Sequence, residues 1–113
     1  MVLDVLHYIR KASLIVRQDG ENSCTIDLGV LSGKQIEISW ADNSVVIDNI
    51  NIYPNRVYGT GIKEVRFALN KVELKTSNLE VRVDFDDDSK VKHIMVKIEK
   101  YGQVSIYDMQ DKS

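Results

Sequence analysis

The chain has little of several things that would have narrowed its function. Of its 113 residues one is cysteine, one is proline and six are glycine. The single Cys24 excludes an internal disulfide, so the fold must hold without that staple. A lone cysteine in a β-rich segment reads as a small buried apolar side chain. No run of 18 uncharged apolar residues occurs, so no membrane-spanning helix is expected. The N-terminus, MVLDVLHYIRKASLIV, is interrupted by Asp4, Arg10 and Lys11 and carries no small-residue cleavage site, so no secretory leader is expected and the cytoplasm is the expected location. A basic excess is missing too. The net charge is −2, and residues 62–101 interleave nine Lys/Arg with eight Asp/Glu. That balance argues against a dedicated nucleic-acid binder and suits a solvated surface.

What is present belongs to an ordinary globular domain. The apolar fraction is 43% and the charged fraction 28%. The length fits one domain over residues 1–113, with core enough to stand without a metal. The first segment has helical spacing: Val2, Val5, Leu6, Ile9 and Ala12 fall on one face. We expect a helix over about 2–11, then a strand running to the turn at Asp19-Gly20. From there the period is two. Ile26/Leu28/Val30 and Ile36/Ile38/Trp40 alternate with polar or small residues, as do Val65/Phe67/Leu69, Leu79/Val81/Val83/Phe85 and Ile94/Val96/Ile98. The apolar phase slips by one between Leu69 and Val72, which calls for a bulge or tight turn at Asn70-Lys71. Seven to nine short strands with one leading helix read as a mainly β domain, a sandwich or a small partly open barrel, with residues 109–113 as a frayed tail.

Three stretches carry chemistry. In DFDDDSKVKH four carboxylates, Asp84, Asp86, Asp87 and Asp88, precede His93. Asp84-x-Asp86-x-Asp88 resembles the first ligands of a calcium loop, but Ser89 stands where that loop needs Gly and Met95 where it needs Glu. Zinc needs three or four ligands, and His7, His93 and one cysteine do not assemble them. The expectation is an acidic hairpin tip with no metal and no cofactor. His93 is expected on the face opposite Ile94, Val96 and Ile98.

The second stretch, Tyr53-Pro-Asn-Arg-Val-Tyr-Gly-Thr-Gly61, breaks the alternation. Tyr and Arg are common interface anchors, so Tyr53, Arg56 and Tyr58 are candidate partner-binding residues. The third is the N-terminal segment, where Leu3 and Tyr8 lie off the apolar stripe and join that candidate set. No Gly-x-Ser-x-Gly elbow and no phosphate loop occurs, and no catalytic residues are assigned. The leading expectation is a non-catalytic binding or assembly module acting through protein–protein contacts, as a homo-oligomer or with a protein partner. Two alternatives stand beside it. One is a small-molecule-binding barrel or hydrolase-like enzyme with a pocket near Trp40, Tyr53 and Tyr58. The other is a single-strand nucleic-acid binder using outward Arg66, Lys71, Lys75, Arg82 and Lys97.

Overall fold

A computed structural model describes residues 15–28 and 34–109. The expected helix over 2–11, with Leu3 and Tyr8, lies outside the described residues, as do 110–113 of the expected tail. Eleven strands are present among the described residues, more than the seven to nine expected: β1 (Ile15–Gly20), β2 (Ser23–Asp27), β3 (Gln35–Trp40), β4 (Val45–Ile47), β5 (Ile50–Tyr53), β6 (Arg56–Tyr58), β7 (Glu64–Ala68), β8 (Lys71–Lys75), β9 (Leu79–Phe85), β10 (Val91–Ile98) and β11 (Gly102–Asp108). The surplus includes Arg56–Tyr58, a three-residue strand inside the stretch that breaks the alternation. No helix among the described residues is long and apolar enough to cross a membrane.

The strands form two antiparallel sheets. One is ordered β1-β2-β3-β4-β5-β6 and the other β11-β10-β9-β8-β7. Every pairing therefore joins strands adjacent in the chain, and only β6 and β7 are consecutive without pairing. Tight turns make this possible. Asp48 (φ 52°) opens the two-residue turn between Ile47 and Ile50, and Asn70 (φ 60°) closes the one between Ala68 and Lys71. Asn and Asp tolerate this left-handed region better than other side chains. The Asn70 turn is the tight-turn solution to the phase slip read between Leu69 and Val72.

Alternation fixes which face is dry. Cys24, Ile26, Ile36, Ile38, Val45, Ile47, Ile50 and Ile52 point inward from the first sheet, all at most 5% exposed. Val72, Leu74, Val81, Val83, Phe85, Ile94, Val96 and Ile98 do so from the second, and the two sets belong to one apolar cluster. Branched aliphatics suit this position because their restricted side chains lose little freedom on a pleated surface. Links at the margins tie the sheets together. Trp40 stacks on Tyr107 with ring centroids 5.3 Å apart. The Tyr101 hydroxyl donates to the Leu28 carbonyl at 3.2 Å, and the Val91 N–H donates to the Asp42 carbonyl at 2.7 Å.

Gly59, with φ 151°, is the one glycine among the described residues whose missing side chain is needed for a close approach. A Cβ there would stand 2.8 Å from Ile50 Cα and 2.9 Å from the Asn49 carbonyl oxygen. Both are backbone contacts with little room to give. Gly59→Ala should therefore destabilise the domain by about 1–3 kcal/mol in urea unfolding. Ile52→Ala, at a fully buried site, should cost about 2–5 kcal/mol by transfer and cavity terms together.

Candidate functional site

The β5–β6 hairpin organises the Tyr/Arg stretch. Ile52 and Val57 are opposite one another and face the core, so their neighbours Tyr53, Arg56 and Tyr58 share the outer face. Tyr53 lies directly across from Arg56. The Arg56 guanidinium carbon sits 4.9 Å from the Tyr53 ring centroid and 5.5 Å from that of Tyr58. The two rings meet edge-on at 6.1 Å. A guanidinium over two ring faces is attracted by both quadrupoles. The planar group also keeps its N–H edges available for carboxylate or carbonyl oxygens. Behind the hairpin, the Asn49 side-chain amide donates to the Thr60 hydroxyl and ties its base to the following loop.

Trp40 does not join this cluster. It sits on the inner side of β3, in phase with Ile36 and Ile38, and stacks on Tyr107. A sheet thickness thus separates it from Tyr53 and Tyr58, and the three do not line a common pocket. The hollow beside Trp40 holds about 160 Å³ and is lined by Asn22, Asp42, Lys90 and Tyr107 among others. Ligand pockets more commonly hold ~300–1,000 Å³.

The acidic stretch is a hairpin loop, and its carboxylates point to different partners. Asp86 Oδ1 accepts the backbone N–H groups of Asp88 at 2.8 Å and Lys90 at 3.0 Å, while its carbonyl accepts the Ser89 N–H at 2.9 Å. Asp87 accepts from the Asn70 amide at 3.1 Å, across to the neighbouring β7–β8 turn. Asp84 faces His93 and Arg82. No group of three or more His, Cys, Asp or Glu suited to one ion occurs among the described residues.

His93 is where the sequence reading missed most. Val91 and Ile94 are both buried although they are three apart, because a bulge at Lys92 shifts the register between Val91 and His93. His93 does lie opposite the buried Ile94, Val96 and Ile98, but it does not share a face with Val91. There it is directly across from Asp84, with Nδ1 3.3 Å from Asp84 Oδ2. A second bulge, at Ile106 on β11, sets Ser105 so that its Oγ lies 3.0 Å from His93 Nε2. In the tautomer protonated at Nδ1, Nδ1–H donates to Asp84 and Nε2 presents its lone pair to the Ser105 hydroxyl. The imidazole and the carboxylate are about one-fifth exposed, at 19% and 20%. The only signal for this in the sequence was the Val91-x-x-Ile94 spacing.

The basic residues named for nucleic acid share the outer face of the second sheet, but each alternates with an acid. Lys97, Glu80, Lys75 and Glu64 form one cross-strand row, with ion pairs of 3.7, 3.9 and 3.8 Å. Arg82, Glu73 and Arg66 form the next. This checkerboard offers no continuous positive track to a phosphate chain.

Comparison with family models, curated proteins and solved structures finds no match.

Two backbone N–H bonds hold the Asp86 carboxyl below its ordinary value, that of Lys90 most and that of Asp88 less, against a partial desolvation that raises it. The folded value lies below the unfolded one, so the associated stability is present above the usual carboxylate range. It is lost as pH falls through the folded value. Amide exchange at Asp88 and Lys90 should accelerate in that acid range relative to other hairpin amides, and Asp86→Ala should give fast exchange at neutral pH as well.

Proposed function

We propose that this protein is a non-catalytic binding or assembly module that acts through protein–protein contacts, with Tyr53, Arg56 and Tyr58 as its contact face. The observation that carries this reading is the guanidinium packed on two mutually touching tyrosine rings on the outer face of an edge hairpin. Tyr58 is 52% exposed there. The cluster is ordered before any partner arrives, so little side-chain freedom remains to be lost on binding. Tyr and Arg are also the residue types that dominate interface energetics. The chemistry suits a protein segment that offers a carboxylate to the guanidinium and an apolar group to the rings. The scaffold behind it is read as a two-sheet sandwich in preference to an open barrel, which the Trp40–Tyr107 stack and the Val91–Asp42 hydrogen bond support.

Arg56→Ala and Tyr58→Ala should each lower recovery of protein partners from the source cell by at least about ten-fold, the scale of a hot-spot loss. The unfolding midpoint should hardly move. Equal recovery by wild type and both variants would end this reading.

A second reading has one observation behind it. The Asp84–His93–Ser105 line has the order and polarity of a nucleophile, a base and its orienting carboxylate. In that reading Ser105 Oγ attacks an ester carbonyl while its proton passes to His93 Nε2. The imidazolium then gives that proton to the leaving alcohol, and water later releases the acid. It ranks second because Ser105 stands exposed on the open face of an edge strand. A developing oxyanion there is in water, where preorganised donors gain least. A fluorophosphonate probe decides it. An adduct on Ser105 that His93→Ala abolishes would move the protein to the hydrolases, and an unmodified intact mass would remove this reading.

A further inference from the structure

Each sheet has two edge strands among the described residues, β1 and β6 in one and β7 and β11 in the other. Exposed edges invite pairing with other chains, and proteins usually blunt them. Three of the four are blunted. β1 breaks register between Gln18 and Gly20. β6 is three residues long and ends at Tyr58, just before Gly59. β11 carries the bulge at Ile106. Within Glu64–Ala68 β7 has none of these devices, and the irregular bond from the Lys63 N–H to the carbonyl of Lys75, the residue across from Glu64, lies just before it. Its five residues pair with β8 in unbroken register from Glu64 to Ala68. It contains no proline, and its core-side positions are Val65 and Phe67, not charges. Phe67 lies on the same face as the buried Val72, yet it is 51% exposed.

The backbone of β7 is set for a further strand. The two-residue turn makes Ala68–Lys71 the closing hydrogen-bonded pair of its hairpin. By alternation, Glu64 and Arg66 also turn their amides to β8. Val65 and Phe67 turn theirs to the open edge.

We propose that a second copy of this chain occupies that edge, with the two β7 strands antiparallel about a two-fold axis at Val65, so that the five-stranded sheet continues into ten. Charge selects this register. Opposite positions of a two-fold strand pair must lie on the same face, which leaves few choices. Centring on Val65 places Glu64 across from Arg66 of the partner subunit, and by symmetry the same pair forms again. Centring on Arg66 would set two arginines against each other. The Val65 register also continues the existing pattern. The row Lys97, Glu80, Lys75, Glu64 gains a cation at its end, and the row Arg82, Glu73, Arg66 gains an anion. This interface uses a different surface from Tyr53, Arg56 and Tyr58, so it does not depend on that reading.

Sedimentation equilibrium from micromolar to near-millimolar concentration tests it on the full chain. Wild type should show a concentration-dependent dimer. Arg66→Glu should weaken that dimer by about ten-fold or more, because two attractive cross-strand pairs become repulsive. The exchange Glu64→Arg with Arg66→Glu should restore it, since opposite charges again face each other only in this register. Circular dichroism melts confirm that each variant is folded. A wild type that stays monomeric throughout overturns the proposal. So does a dimer indifferent to Arg66→Glu, or a folded double exchange that remains monomeric.

Discussion

Everything on the surface of this protein depends on one constraint, the burial of every second residue from two antiparallel sheets in a common aliphatic core. Strand geometry gives each side chain only two directions. Once Ile26, Ile38, Ile52, Val83 and Ile94 are inside, their neighbours must be outside. The Arg56 cluster, the charge checkerboard and the Asp84–His93–Ser105 line are all products of that division. Their cross-strand distances are set by register as much as by the residues themselves.

Where register is regular, the outer face is an alternation of opposite charges that satisfy one another. Where it breaks, chemistry collects. The bulge at Lys92 turns His93 outward next to Asp84, and the bulge at Ile106 brings Ser105 within reach. Bulges re-aim side chains in this way. They also twist an edge out of line for further pairing, so one device at β11 both assembles a polar line and protects an edge. β7, lacking such a device, is the contrasting case.

Much of the fold was legible because its signal is periodic. The long runs from Leu79 to Phe85 and from Ile94 to Ile98 announce their faces by alternation alone, and the phase slip after Leu69 announced its turn. The three-residue strand β6 was not legible as a separate element, since it lies in the stretch that breaks the alternation and three residues barely define a period. The Tyr/Arg cluster was legible in part. Tyr53, Arg56 and Tyr58 stood out by residue type in an irregular stretch, and the structure places them side by side. Trp40 keeps the inward phase of Ile36 and Ile38, which puts it on the other side of the sheet from that cluster and out of a shared pocket. The Asp84–His93–Ser105 line was not legible. It spans three strands, and two register shifts decide it that leave almost no trace in composition.

The order of the strands has a consequence for how the chain reaches this state. All pairings join strands adjacent in sequence, so nearly every ladder closes a short loop. Loop-closure entropy is therefore small at each step, and contact order is low for an all-β domain. Residues up to Tyr58 supply one sheet and those from Glu64 the other. Hairpins can form and grow locally within each half, and only the docking of the two halves requires distant parts of the chain to meet. The late, cooperative event in folding is then the closing of the aliphatic core, and the rate at which that seam forms, more than strand pairing, sets the time the inward isoleucines spend in water.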